Sequence, residues 1–172
     1  LKSLKQRAKL FFFVDDNFAG DIPAAKEFLK ELAKLNVRWV TQMSINAAHD
    51  EEFLALLRKS GCKGTLIGFE TLDEENLRAM KKRFNTMKGG YEVALQNLRR
   101  HDIRVYATFI FGYENDTPAS FDRAVDFSID HDFYIAAFNH LTPFPGTPLY
   151  DKLRQEGRLR YDAWWLDERY RY

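Results

Sequence analysis

Leu10-Phe11-Phe12-Phe13-Val14-Asp15-Asp16-Asn17 is a run of five apolar residues that stops at two carboxylates and an amide. An uninterrupted apolar run reads as a strand buried on both faces, the kind found in parallel sheets. Pro23 then suits the first turn of a helix. Ala25, Phe28, Leu29, Leu32 and Leu35 follow at helical spacing, an apolar stripe that can lie on a sheet. Strand, acidic loop and amphipathic helix together make one β/α unit.

The same unit recurs along the chain. Residues 37–43 are rich in β-formers. Asp50 can cap a helix carrying Phe53, Leu54 and Leu57, and Gly61 can end it. Residues 65–69 form a third strand. Thr71 and Glu74 have the spacing of a capping box, ahead of Leu77, Met80 and Phe84. Gly89-Gly90 breaks that stripe, and Tyr91, Ala94, Leu95 and Leu98 resume it. Residues 103–111 give the fourth strand. Thr117-Pro118 opens a helix with Phe121, Val125, Ser128 and Ile129 on its inner face. Residues 134–141 give the fifth strand. The loop Phe144-Pro145-Gly146-Thr147-Pro148 and a short helix over 149–156 follow. Five strands alternating with helices specify an α/β fold of parallel units with right-handed crossovers. A doubly wound sheet and a partial TIM-like β/α barrel both fit that pattern. No Gly-rich loop follows the first strand, which weighs against a dinucleotide-binding fold.

At 172 residues, 45% hydrophobic and 30% charged, the chain is expected to form one soluble core spanning 1–172. Its 26 basic and 25 acidic residues give a net charge of +1, no electrostatic case for nucleic acid or an anionic membrane. Arg99-Arg100 and Arg158, Arg160, Arg169 and Arg171 read as solvated faces. No apolar run approaches the ~20 residues of a membrane span, and the first residues carry no signal-peptide pattern. The single cysteine, Cys62, excludes an internal disulfide and fits a reducing cytoplasm. Placed after Ser60-Gly61 at a helix exit, it reads as a buried structural thiol. The chain has no initiating Met, and both ends read as cuts in a longer protein.

In parallel α/β folds the ligand sits at the carboxyl ends of the strands. The first strand here runs into Asp15, Asp16 and Asn17. The second ends near Gln42 and Ser44, the third at Glu70, and the fourth at Gly112 with Glu114 and Asn115 beyond. The fifth carries Asn139 and His140, then Thr142. These ends form one polar rim, suited to an ammonium group, ribose hydroxyls or a metal ion. Asp15-Asp16-Asn17 lacks the alternating spacing of a calcium loop. His49, His101 and His131 fall at helix ends; His140 is the histidine aimed at the rim. No Ser/His/Asp set has a motif context.

Phe12-Phe13-Val14-Asp15-Asp16-Asn17-Phe18, Trp39 to Ser44, and Ser60-Gly61-Cys62 with Ile67-Gly68-Phe69-Glu70 resemble radical S-adenosylmethionine (radical SAM) proteins. So do Phe109-Ile110-Phe111-Gly112 and Leu141-Thr142-Pro143-Phe144-Pro145-Gly146-Thr147-Pro148-Leu149-Tyr150. The group resembled is the set of Fe–S oxidoreductases often preceded by a cobalamin-binding domain, which includes methyltransferases and ring-forming cyclases. The resemblance covers nearly the whole chain and implies a partial β/α barrel of six strands. The five strands here look like family strands two to six, with helices on the outer face.

The resemblance implies two resident cofactors, SAM and a 4Fe-4S cluster, and possible cobalamin on an upstream domain. It puts Asp15, Asp16 and Asn17 near the SAM amino group, where a carboxylate pairs with an ammonium. Gln42 and Ser44 look like partners for the methionyl carboxylate or ribose, and Glu70 like the residue facing the ribose or methionyl end. Ile110 and Gly112 resemble the segment lying against adenine, and Thr142 the loop closing over the adenosyl group. The family's CxxxCxxC cluster loop is missing from these residues, so the chain alone is expected to be inactive and to hold no cluster. In the parent protein the implied activity is reductive cleavage of SAM to a 5′-deoxyadenosyl radical, for methyl transfer or ring formation on a small organic substrate. The reading from a different class is a non-redox β/α module that binds a nucleoside or a divalent metal at the acidic rim. Loss of family strand one implies an exposed edge at 10–14 and self-association through it.

Overall fold

The computed structural model describes residues 2–4, 6–80, 90–159, 161, 166 and 168. Leu1–His140 form one compact unit and Leu141–Tyr172 a second. The first unit carries the whole sheet: β1 (Phe11–Phe12), β2 (Trp39–Gln42), β3 (Cys62–Glu70), β4 (Arg104–Phe111) and β5 (Ile135–His140). Between the strands lie α1 (Ile22–Ala33), α2 (Glu51–Lys59), α3 (Glu74–Ala79), α4 (Gly90–Arg100) and α5 (Pro118–Asp130), with a 3-10 turn over Ile45–His49. The second unit holds α6 (Pro148–Gln155). The strands lie in the order of the chain, and every neighbouring pair is parallel. A doubly wound sheet reverses its strand order part-way. This one does not, which makes it a half barrel of five parallel strands.

Side-chain caps set several helix starts. Asp21 Oδ1 accepts the Ala24 N–H at 3.0 Å with Pro23 in the first turn of α1, and Asp50 Oδ1 accepts the Phe53 N–H at 2.9 Å at α2. Thr117 precedes Pro118, and its N–H donates to Ser120 Oγ at 3.0 Å. The Thr71 capping box is corrected. Asp73 caps α3, its Oδ1 accepting the Asn76 N–H at 2.9 Å, while Thr71 Oγ1 accepts the Asp73 N–H at 3.1 Å. Thr71 is committed to the turn that ends β3, so the cap falls two residues later on a carboxylate.

Alternate residues of each strand face opposite sides. Trp39, Ile67, Phe69, Val105, Ala107 and Phe109 are buried against the helix residues Leu29, Leu32, Phe53, Leu54, Leu57, Leu95 and Leu98. On the other face Val40, Gln42, Leu66, Gly68, Tyr106, Thr108 and Ile110 are only half covered. Register rows cross that open face: Gln42 with Leu66 and Tyr106, and Gly68 with Thr108.

The open face corrects the reading of residues 10–14. Phe11 and Phe13 turn toward the helices, where Phe13 meets Trp39 edge-on at 5.0 Å and Phe28 at 5.7 Å. Leu10, Phe12 and Val14 lie 51%, 55% and 77% exposed. The apolar run lines the inside of a half barrel rather than a strand covered on both faces. On α5 the inner face is also corrected. Ser128 is buried as expected, but its companions there are Ser120 and Ala124, whereas Phe121, Val125 and Ile129 are exposed. Small residues let this helix approach the sheet closely, and Ser128 Oγ donates to the Ala124 carbonyl at 2.6 Å. Cys62 follows the exit of α2 and opens β3, and it is fully buried, as expected of a structural thiol. The stripe position Phe84, the break at Gly89, and Arg160, Arg169 and Arg171 lie outside the described residues.

Candidate functional site

At the carboxyl ends of the strands the open face holds a cavity of about 240 Å³, lined by Asp16, Gln42, Ser44, Glu70, Gly68 and Thr108 over Leu66, Met43 and Ile45. Four of the nine residues singled out from sequence therefore line one space: Asp16, Gln42, Ser44 and Glu70. Gly68 and Thr108 were not among them. Gly68 shares a face with Glu70 by the two-residue strand period, a signal present in the sequence. Thr108 joins only through the register of β3 with β4, which a sequence does not display.

The other five candidates take different places. Asp15 is exposed and does not line the cavity. Asn17 acts one step back: its Oδ1 accepts the Ser44 N–H at 3.1 Å, and the Phe18 N–H donates to the Gln42 carbonyl at 3.0 Å. The acidic loop is thus bound to the exit of β2. Ile110 lies on the open face in register with Asn139. Gly112 follows β4 with φ 118°. Thr142 belongs to the second unit. His140 pairs with Phe111 in the register, so it shares the helix-side face of Phe111 rather than that of Gly68 and Thr108.

Glu70 sits in an unusual backbone. Its φ is 65°, the left-handed region, and the Thr71 N–H closes a three-residue turn onto the Phe69 carbonyl at 2.8 Å. The same carbonyl accepts the Tyr91 hydroxyl at 3.3 Å. The turn folds the Glu70 carboxylate back over Gly68: a Cβ at position 68 would stand 2.5 Å from Glu70 Oε1 and 3.8 Å from Thr108 Oγ1. A glycine there leaves room for the carboxylate above the sheet. Burial pushes the Tyr113 phenol above its ordinary value, and the carboxylates of Glu70 and Asp116 add to that.

A larger cavity of about 430 Å³ occupies the opposite end of the open face, lined by Leu10, Phe12, Val40, Leu66, Tyr106 and Ile135 with Arg38, Lys63 and Arg104 at its edge. It contains no carboxylate. Of these two cavities, the smaller one holds the carboxylates, Asp16 and Glu70. Among the described residues no three His, Cys, Asp or Glu side chains converge to hold a metal ion. Cys62 lies at the start of β3, and burial, the largest influence, pushes its thiol up to about 12. Metal–thiolate bonding needs the deprotonated form. A 4Fe-4S cluster is held by several cysteine thiolates and this sequence has one cysteine, so its residues do not fit the cluster, while the rim suits the polar groups of SAM.

The profile of the radical SAM superfamily matches residues 1–128. The chain belongs to the radical SAM superfamily. This radical SAM chain is 36% identical over 162 residues to bacteriochlorophyllide d C-12(1)-methyltransferase of Chlorobaculum tepidum, covering 94% of the chain and 35% of that relative. It is 32% identical over 157 residues to hopanoid C-2 methylase of Rhodopseudomonas palustris, covering 88% and 30%. The chain thus spans about a third of the length of these curated relatives. Its fold is similar to that of the radical SAM methyltransferase TsrM from Kitasatospora setae, solved with tryptophan and a SAM analogue. The TM-score is 0.75 at 23% identity, over 90% of this chain and 31% of that one. Among the described residues no helix is long and apolar enough to cross a membrane.

Proposed function

We propose that this chain is the SAM-cradling part of a radical SAM enzyme that transfers a methyl group to, or closes a ring on, a small organic substrate. The observation that carries the reading is the meeting of Asp16, Gln42, Ser44 and Glu70 around one cavity at the strand ends. The Asp16 carboxylate would pair with the methionyl ammonium, and Gln42 and Ser44 would hydrogen-bond the methionyl carboxylate or ribose. Glu70 would accept from ribose hydroxyls, its carboxylate held over Gly68. Ile110 and Gly112 would lie against adenine. Bound SAM supplies the methyl group or the 5′-deoxyadenosyl group for the reaction. The cluster ligands must come from outside these residues. Relatives named as methyltransferases favour methyl transfer over ring closure. The non-redox binding module has no observation in its favour.

The test compares this chain with the full-length protein after anaerobic reconstitution. The chain alone should take up no stoichiometric iron and bind SAM weakly; the full-length protein should bind it much more tightly. Equal affinity in both would contradict the proposal. β1 is also an end strand of the sheet with Leu10, Phe12 and Val14 exposed. An exposed apolar edge templates pairing, and we propose self-association of the chain through it. Light scattering on a size-exclusion column should give a dimer or larger; a monomer at high concentration would contradict this.

A further inference from the structure

The exit of β4 is tied to the first turn of α3 by side chains that the SAM reading leaves unused. The Gly112 N–H donates to Asp116 Oδ2 at 2.7 Å, and the Tyr113 N–H donates to the same oxygen at 2.9 Å. Asp116 Oδ1 accepts from Asn76 Nδ2 at 3.2 Å, and Asn76 Oδ1 accepts from Asn115 Nδ2 at 3.2 Å. Asn76 is 3% exposed, and both ends of its amide are used. Its own N–H donates to Asp73 Oδ1, the Asp73 N–H to Thr71 Oγ1, and the Thr71 N–H closes the Glu70 turn. A continuous path of hydrogen bonds therefore runs from Glu70 at the end of β3 to Gly112 at the end of β4.

We propose that Asn76 and Asp116 are positioning residues that hold the Gly112–Tyr113 backbone at a fixed place relative to Glu70, so that the two strand exits meet SAM together. The inference rests on the reading of the rim as a SAM site. Gly112 leaves the strand at φ 118°, and a glycine has the widest freedom of any residue to abandon such a conformation. Two N–H groups on one carboxylate oxygen remove that freedom, since charge-assisted bonds are the strong ones. The buried Asn76 amide then fixes the half-buried Asp116 carboxylate, because leaving that amide unsatisfied in its buried setting is costly. Neither residue lines the rim cavity, so each acts through Gly112 and Tyr113.

The donor and acceptor roles can be exchanged. Asn76→Asp places two carboxylates in contact and should weaken SAM binding to the cluster-loaded full-length protein about tenfold. Adding Asp116→Asn supplies an amide nitrogen that faces the new carboxylate, and an amide oxygen that still accepts from Gly112 and Tyr113. The double variant N76D/D116N should return to within about threefold of wild type and recover the hydrogen-exchange protection of the Gly112 and Tyr113 amides. Asp116→Leu, which leaves no acceptor, should lose both; if it fails to fold, the exchange pair still decides. Unchanged SAM affinity in Asn76→Asp, or a loss that the double variant does not recover, overturns the proposal. Wild-type protein that binds no SAM overturns the rim reading along with it, whereas equal binding by wild type and Asn76→Asp overturns this inference alone.

Discussion

The carboxylate of Glu70 lies directly over Gly68, so close that a methyl group at position 68 would stand 2.5 Å from Oε1. Gly68 and Glu70 are two residues apart on one strand and share its open face. The atom in the way is the end of a flexible side chain, not backbone. Gly68→Ala should therefore displace the carboxylate and leave the sheet intact. We expect SAM affinity to fall about tenfold, the loss of one charged hydrogen bond, with a melting temperature near that of wild type. A large drop in melting temperature with affinity intact would mean that Gly68 serves packing alone.

Glu70 itself carries strain for its position. A residue with a Cβ in the left-handed region costs on the order of 1–2 kcal/mol, and φ here is 65°. Glu70→Gly should raise stability by roughly 0.5–1 kcal/mol after the added freedom of the unfolded glycine is deducted, and it should weaken SAM binding. Urea midpoints and SAM titrations on the same variant check both halves. A destabilised variant would show that the side chain, not the backbone, dominates at this site.

Asp50 gives a pH-dependent prediction. Burial on its own would raise its pKa, but the Lys26 ammonium at 2.9 Å and the Phe53 N–H outweigh that and hold it below its ordinary value. A carboxyl depressed in the folded state contributes stability that is fully present above its unfolded value. That contribution is lost as pH falls through the folded value. Wild-type protein should lose stability more steeply below about pH 4 than Asp50→Asn, which keeps the helix cap without the charge. Parallel acid limbs in urea denaturation would contradict the assignment.

Cys62 should be inert in the folded protein. Its thiol is fully buried and pushed up to about 12, so at pH 8 almost no thiolate is present. A disulfide reagent should titrate no thiol until denaturant is added, then one. Prompt reaction in the native state would show the start of β3 to be open.

Much of this architecture was legible in the order of residues. The five strands, the Asp50 cap and the Thr117-Pro118 helix start follow from local chemistry, because caps and apolar runs act over a few residues. What failed required knowledge of the partner surface. Phe11-Phe12-Phe13 reads as doubly buried because an apolar run does not say whether its second face meets protein or the inside of an open barrel. Phe121, Val125 and Ile129 have the right spacing for a core face, yet Ser120 and Ala124 join the expected Ser128 there, since close approach to the sheet favours small side chains. At the candidate site, the grouping of Asp16, Gln42, Ser44 and Glu70 around one cavity was legible because strand ends gather on one rim in parallel folds. Thr108 depended on register, and Asn76 and Asp116 on a contact across 40 residues.

Asp16 and Glu70 are proposed to contact SAM at one rim. The direct measurement is calorimetric titration of SAM into the cluster-loaded full-length protein, wild type against Asp16→Ala and Glu70→Ala. Each variant should bind roughly tenfold to a hundredfold more weakly, the value of a lost charge-assisted hydrogen bond. Unchanged affinity in both variants would remove these residues from the site and contradict the account.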